Sequence, residues 1–271
     1  MLYFVPTPIG NLADISTHAL EILTKCEIFI CEDTRFSKKL LNLLSEKYQI
    51  NFTPKEFYSL HTHNESEFFA KFDTSNFTQK NCAFLSDAGM PCISDPGIAL
   101  VKFAQNNGIE YEILSGANAL LLAVAASGIV QKEFCFLGFL PNTGKERKIA
   151  IENMLKNPYP CVIYESPKRI LSLVCGIENL DENRQIFAIK EASKKFETKF
   201  FGSAKELTLT LKTANLNGEW AVVVAGAKEA NFEKISENDI KSLEISPKIK
   251  AKLLAKITGK SVKEIYNDLI K

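Results

Sequence analysis

No two of the seven cysteines (26, 31, 82, 92, 135, 161 and 175) form a C-x-x-C pair, and most sit in apolar runs such as Cys26-Glu-Ile-Phe-Ile-Cys31. That spacing excludes thiol redox motifs and zinc knuckles and fits buried thiols in a reducing cytoplasm. The thirteen glycines never occur as G-x-G. The dinucleotide-binding fingerprint and the Gly-rich loop of Rossmann-like methyltransferases are therefore both missing. Gly138-Phe-Leu-Pro-Asn-Thr-Gly-Lys145 has one residue too many between its glycines for a phosphate-binding loop. Glu146 also stands where a magnesium-binding hydroxyl is needed. No excess charge of either sign exists, because the formal net charge is +1. A nucleic-acid partner would have to be met by a local patch, not by the field of the whole molecule. Long apolar runs are scarce too. Ile113 to Val130 is uncharged, but Ser115, Gly116, Asn118, Ser127 and Gly128 interrupt it, so a buried helix is expected there and no membrane association. Met1-Leu-Tyr-Phe-Val runs straight into Pro6-Thr-Pro8 with no basic residues before it, so no export signal is expected and the protein is read as cytoplasmic.

What is present is alternation. Short apolar runs at 2–5, 26–31, 56–60, 82–86 and 110–114 predict strands, with helical patterns over 16–25, 34–45, 65–72 and 95–107 between them. Such alternation implies crossover connections and a mostly parallel sheet. A second set follows the uncharged segment, with strands at 134–138, 160–164, 185–190, 197–202 and 219–225 and helices near 145–156, 167–177 and 203–213. The 185–202 pair leaves no room for a helix, so it should be an antiparallel hairpin and the second sheet mixed. From about Asn231 the chain turns basic: residues 234–271 hold nine Lys against five acidic residues. Leu253, Leu254, Ile257, Val262, Ile265, Tyr266 and Leu269 recur at helical spacing, with Gly259 and Ser261 as caps between two short helices. Three segments result: a first α/β lobe (1–115), a second (116–230) and a basic helical appendage (231–271).

Ligands of parallel α/β sheets bind beyond the carboxyl ends of the strands. The residues that follow successive strands there are Pro6-Thr-Pro-Ile-Gly-Asn-Leu-Ala-Asp14, Glu32-Asp-Thr-Arg35, Ser86-Asp-Ala-Gly-Met-Pro-Cys-Ile-Ser-Asp-Pro-Gly97, Ser115-Gly-Ala-Asn-Ala119 and Glu165-Ser-Pro-Lys-Arg169. Each alone reads more readily as a turn or a helix cap than as a site; together, at the same ends of successive strands, they point to a site. Arginine usage adds a signal, with 29 Lys but only four Arg, at 35, 147, 169 and 184. In so Lys-rich a chain an Arg marks a place where a planar, bidentate donor matters, for phosphate or for carboxylate. His61-Thr-His63 with Glu65 and Glu67 lacks a nearby Cys or third His and reads as an exposed loop, not a metal site.

Val5-Pro-Thr-Pro-Ile-Gly-Asn-Leu-Ala-Asp-Ile15, Glu32-Asp-Thr-Arg35, the 86–97 loop, Gly138-Phe-Leu-Pro141 and Tyr164-Glu-Ser-Pro167 together closely resemble the family of small-subunit ribosomal RNA methyltransferases I, within the tetrapyrrole methylase superfamily. The resemblance covers essentially the whole chain. It implies two α/β lobes of the tetrapyrrole methylase type, S-adenosylmethionine as cofactor in the cleft between them, a homodimer, and 2′-O-methylation of a decoding-centre cytidine of 16S rRNA in the small ribosomal subunit. The alternative within the superfamily is methylation of a tetrapyrrole such as uroporphyrinogen or a precorrin; a third reading is a non-catalytic ribosome-binding protein. The family usually has Pro-Gly-Pro-Ser-Ala at 115–119, Thr and Gly at Met90 and Cys92, Leu-Thr at Ala192-Ser193, and often His at Lys168. The replacements at 90 and 92 imply a less tightly turned loop.

On this resemblance Pro8, Gly10, Asp87, Gly89, Met90, Pro91, Ile93 and Ser94 are expected to line the methionine and ribose parts of the cofactor. Asn118 and Ala119 should close the first-lobe side, and Tyr164, Ala192 and Ala221 should cover the adenine. Transfer to a ribose hydroxyl needs a group that accepts its proton and no metal. Glu32 and Asp33 stand at a strand end for that task, with Arg35 near enough to grip a phosphate. The competing reading is that Asp33 caps the next helix and Glu32 merely pairs with Arg35. Glu165, Lys168, Arg169 and Arg147 are the substrate-side candidates on the opposite wall.

Overall fold

The computed structural model describes residues 1–227 and 236–270. The first sheet comprises β1 (Leu2–Phe4), β2 (Ile28–Cys31), β3 (Glu56–Ser59), β4 (Cys82–Leu85) and β5 (Tyr111–Ile113), in the order β3-β2-β4-β1-β5. Every pairing in it is parallel, so all five carboxyl ends share one edge. β2 and β4 are buried at every residue, as near-continuous apolar strands covered on both faces must be. Helices α1 (Thr17–Lys25) and α2 (Thr34–Tyr48) cover one face through Leu20, Leu23, Leu41 and Leu44. On the other face α3 (Glu65–Lys71), α4 (Asn76–Gln79) and α5 (Gly97–Asn106) contribute Phe68, Phe77 and Leu100, packed on Phe4 and Phe84.

The second sheet is built from β6 (Cys135–Phe139), β7 (Cys161–Glu165), β8 (Gln185–Lys190), β9 (Thr198–Ser203) and β10 (Trp220–Val224), ordered β6-β7-β10-β8-β9. It is mixed: β6 and β7 run parallel, whereas β10 is antiparallel to both its neighbours and β8–β9 is the expected hairpin. Helices α7 (Gly144–Lys156), α8 (Ile170–Glu178) and α9 (Ala204–Thr213) pack on one face with Ile151, Leu173 and Leu207. The other face takes α6 (Ala119–Ser127) through Leu120 and Ala123.

Helix α6 corrects one expectation. It is apolar all round, yet only one side is buried, and Leu121 is 54% exposed. Among the described residues no helix is long and apolar enough to cross a membrane. Both sheets belong to one compact unit, Met1–Gly226. A second unit, starting at Ala227, holds α10 (Glu237–Ser242), α11 (Pro247–Thr258) and α12 (Val262–Leu269) around Ile240, Ala251, Leu254 and Ile265. The boundary expected at 230/231 lies outside the described residues, as do Lys234 and Lys271 of the basic segment. Gly259 in the left-handed region (φ 72) closes α11 and Ser261 caps α12. Helix α4 escaped sequence reading because four residues carry no periodicity.

No cysteine pairs with another. Burial pushes the Cys26 thiol up to about 12 and that of Cys31 to about 11, so both are inert at neutral pH. Phe84 sits at the centre of the parallel sheet, fully buried, its ring 5.7 Å from that of Phe4. Phe84→Ala should lower stability by about 3–5 kcal/mol in urea denaturation; a loss under 1 kcal/mol would mean that this layer repacks freely.

Candidate functional site

The carboxyl ends of β1, β2 and β4 launch three loops that are laced together. Thr7 and Gly89 exchange backbone hydrogen bonds of 3.0 Å in both directions. The Ser86 hydroxyl donates to Gly89 O at 3.2 Å. Glycine suits position 89, where φ is +85 and a Cβ would lie only 3.0 Å from Ile9 Cγ2. The Asp33 amide donates to Asp87 Oδ1 at 3.1 Å, and the Asp87 amide donates to Glu32 Oε2 at 3.3 Å. Each loop thus holds a carboxylate of the other.

The 86–97 loop turns more tightly than expected. Cys92 and Ser94 both adopt φ 68, the left-handed conformation that glycine prefers. Asp95 holds them there: its Oδ1 accepts from Cys92 N at 3.0 Å and from Gly97 N at 2.7 Å. Strained non-glycine backbone of this kind concentrates at ligand clamps.

These loops form one wall of a cavity of about 430 Å³, within the ordinary range for small-molecule sites, roughly 300–1,000 Å³. Asp87, Gly89, Met90, Ile93, Ser94, Asn118, Ala119 and Glu32 line it from the first sheet's side, and Tyr164, Ala192, Ala221 and Glu165 from the second. Pro8, Gly10 and Pro91 do not line it; they shape the loops behind the wall. Asn118 is also the N-cap of α6, its Oδ1 accepting from Leu121 N at 3.1 Å. The expected site residues left out nine that line it: Ile9, Ser86, Ala88, Asp95, Phe139, Ser166, Pro167, Glu219 and Trp220. Glu219 and Trp220 start at the cavity because β10 runs antiparallel to its neighbours, a pairing the sequence does not announce. The aromatic part of the wall is continuous, with the Phe139 and Tyr164 rings 5.7 Å apart.

Every charged side chain lining the cavity is a carboxylate: Glu32, Asp87, Asp95, Glu165 and Glu219. Burial raises the Glu32 carboxyl above its ordinary value, and the negative charges of Asp87, Asp95 and Asp33 add to the rise. Asp87 and Asp95 are likewise raised by burial. Such a site favours a ligand that brings positive charge.

Asp33 and Arg35 lie outside the lining. Asp33 caps α2, accepting from Arg35 N at 2.8 Å, and grips the same residue's guanidinium at 2.6 Å. That grip lowers the Asp33 carboxyl to about 2. Glu32 is not paired with Arg35, so the helix-cap reading holds for Asp33 and the pairing expected of Glu32 fails. The Arg35 side chain stays 88% exposed.

On the opposite wall the expected substrate-side residues separate. Glu165 is buried and fully engaged: Oε2 accepts from Arg147 at 2.7 Å, and Oε1 from Arg169 at 2.8 Å and from Ser166 N at 2.7 Å. Arg147 is buried too, with a second bond to Pro141 O at 3.0 Å. Arg147 therefore braces the wall from behind instead of reaching substrate. Lys168 is exposed at the rim.

The profile of the family "Tetrapyrrole (Corrin/Porphyrin) Methylases" matches residues 1–208. Over the full length of both proteins the chain is 61% identical to a curated ribosomal RNA small subunit methyltransferase I of Campylobacter fetus. The chain belongs to that family. The enzyme of the same name from Helicobacter pylori J99 is 40% identical over 98% of this chain and 96% of its own. Among solved structures, a cobalt precorrin-4 methyltransferase covers 83% of this chain and 94% of its own, with a TM-score of 0.59 at 14% identity. A Thermus thermophilus uroporphyrin-III C-methyltransferase, solved with S-adenosylhomocysteine, gives 0.56 at 14% identity over 82% and 96% of the two chains. These likenesses establish a tetrapyrrole methylase fold.

Removing Glu165 leaves the Arg147 guanidinium buried without its counter-charge. Glu165→Ala should therefore cost about 3–5 kcal/mol in chemical denaturation. A neutral result would mean that the pair is dispensable to the wall.

Proposed function

We propose that this protein transfers a methyl group from S-adenosylmethionine to the ribose 2′-hydroxyl of a decoding-centre cytidine in 16S rRNA, acting as a cytoplasmic homodimer on the small ribosomal subunit. The observation that carries the cofactor assignment is the cavity's character: aromatic rings at Phe139 and Tyr164 facing a lining whose charged groups are all acidic. That donor set suits a molecule with a flat heterocycle at one end and sulfonium and ammonium charges at the other. Ile93, Tyr164, Ala192 and Ala221 would hold the heterocycle, and Asp87, Gly89, Met90 and Ser94 the polar arm, with Asn118 and Ala119 closing the edge. When bound, S-adenosylmethionine supplies an already activated methyl group.

Glu32 is the group of this chain that accepts the hydroxyl proton or orients the hydroxyl. It lines the cavity, and burial raises its basicity toward neutral pH. Asp33 holds the start of α2 and presents Arg35 at the rim, where the exposed guanidinium meets a flanking phosphate. Lys168 and the partly exposed Arg169 do the same from the other rim. The lysine-rich α10–α12 unit adds basic surface of the kind a polyanion needs. The uncovered side of α6, with Leu121, supports a second copy packing there.

Tetrapyrrole methylation is the weaker reading, since a polycarboxylate macrocycle would need cations inside the cavity and no Lys or Arg lines it. The deciding experiment incubates the purified protein with labelled S-adenosylmethionine and either small ribosomal subunits or uroporphyrinogen. Label should enter the 16S rRNA at a ribose 2′-oxygen; label in the macrocycle alone would reverse the assignment.

Glu32→Gln should depress kcat by on the order of 10²-fold or more and leave cofactor affinity within about twofold. Arg35→Lys should chiefly raise KM for the ribosomal substrate. Only an ionised Glu32 accepts a proton, so wild-type turnover should fall with decreasing pH, with a midpoint above the ordinary carboxylate value. The pH–rate profile of Glu32→Gln should lose that acid limb. Equal loss of cofactor binding in both variants would assign the loop to scaffold.

A further inference from the structure

The cavity's two walls come from different halves of the compact unit, and the chain passes between them through residues 115–118. Among the described residues a single hydrogen bond joins residues 1–114 to residues 119–226: the Ser193 hydroxyl donates to Asp14 Oδ2. We propose that Asp14 and Ser193 are positioning residues, a clasp that sets the width of the cavity and thereby the hold on the cofactor. The inference rests on the reading of this cavity as the S-adenosylmethionine site.

Both sides of the clasp are built to be stiff. Asp14 ends a short 3-10 turn, Leu12–Asp14, capped by Asn11 and anchored to α2 where the Tyr48 hydroxyl donates to Leu12 O at 3.1 Å. Ser193 lies in the turn after β8, where Glu191 (φ 55) and Ser193 (φ 65) both occupy the left-handed region. Four bonds hold that conformation. Glu191 Oε1 accepts from Glu219 N and from Lys194 Nζ, both at 2.9 Å, and Lys194 Nζ reaches Glu219 Oε2 at 2.8 Å. The Ser193 amide donates to Glu197 Oε2 at 2.7 Å.

The loop of the first half lies directly on this turn. A Cβ on Gly10 would collide with the Lys194 side chain and approach Lys194 N to 3.0 Å and the Ser193 carbonyl carbon to 3.1 Å. Close apposition explains why Gly10 belongs to the site's loop yet does not line the cavity. Ala192 and Glu219, members of the same rigid turn network, do line it. A shift of this turn relative to the 10–14 loop therefore widens the cavity at its rim, beside Ile9. Non-glycine residues held in the left-handed region are found where surrounding structure over-determines a clamp.

The test measures S-adenosylhomocysteine affinity by calorimetry and its dissociation rate by release of radiolabelled ligand, in wild type, Asp14→Ala, Ser193→Ala, the double variant and Ser193→Thr. Each alanine variant should bind about tenfold more weakly, with a matching rise in dissociation rate, as for loss of one hydrogen bond to a charged group. The double variant should be no weaker than either single, since both remove the same bond. Ser193→Thr keeps a hydroxyl and should restore affinity to within about twofold. Unchanged affinity in the alanine variants overturns the clasp. So does a fall in the ligand-free thermal midpoint that accounts for the weakening, which would make the contact merely structural. Failure of the wild type itself to bind would overturn the cofactor reading.

Discussion

Parallel pairing of β1, β4 and β2 is the constraint from which the site follows. The register sets Phe4 beside Phe84 and Cys31 beside Leu85, so the three strands end at one level and deliver their loops to one edge. Those loops must then satisfy their own backbone groups, and they do so with one another: Thr7 with Gly89, Asp33 with Asp87, Asp87 with Glu32. An antiparallel first sheet would have sent alternate loops to opposite edges and left no common wall. The interlocking carries a cost in left-handed backbone at Cys92 and Ser94, offset by the bonds that Asp95 makes to the same loop.

Charge is divided with similar economy. Carboxylates face the cavity, while Arg35 and Lys168 stand at its edges. That division would suit a small cation inside and a polyanion outside in a chain whose net charge is only +1. The buried arginine on the far wall serves neither purpose. Arg147 and Glu165 form an ion pair whose desolvation is compensated by Pro141 O, Ser166 N and Arg169. That pair fixes the end of β7 and with it Tyr164.

Much of this was legible in the sequence because α/β alternation has a strong periodic signal. The five strand-end loops announced themselves by Gly, Pro and carboxylate content, and ten of the thirteen residues expected around the cofactor do line the cavity. What failed to show was tertiary. Whether an Arg meets a carboxylate or a phosphate depends on what the fold places beside it. Arg147 therefore reads like Arg35 in sequence and ends buried. Pro8, Gly10 and Pro91 are motif residues whose task is to shape loops, which a motif match does not separate from lining. Phe139 and Glu219 are ordinary strand-end residues, visible as site members only once β6 and β10 are given neighbours. The one-sided exposure of α6 is hidden because a helix apolar all round gives no periodic cue to its buried face.

The account stands or falls on the cavity between the two sheets being the cofactor site. A crystal structure of the protein grown with S-adenosylhomocysteine tests this most directly. The account predicts ligand density with the heterocycle against Tyr164 and Ala221 and the amino-acid arm against Asp87 and Gly89. Density elsewhere on the chain, or an empty cavity at saturating ligand, would contradict it.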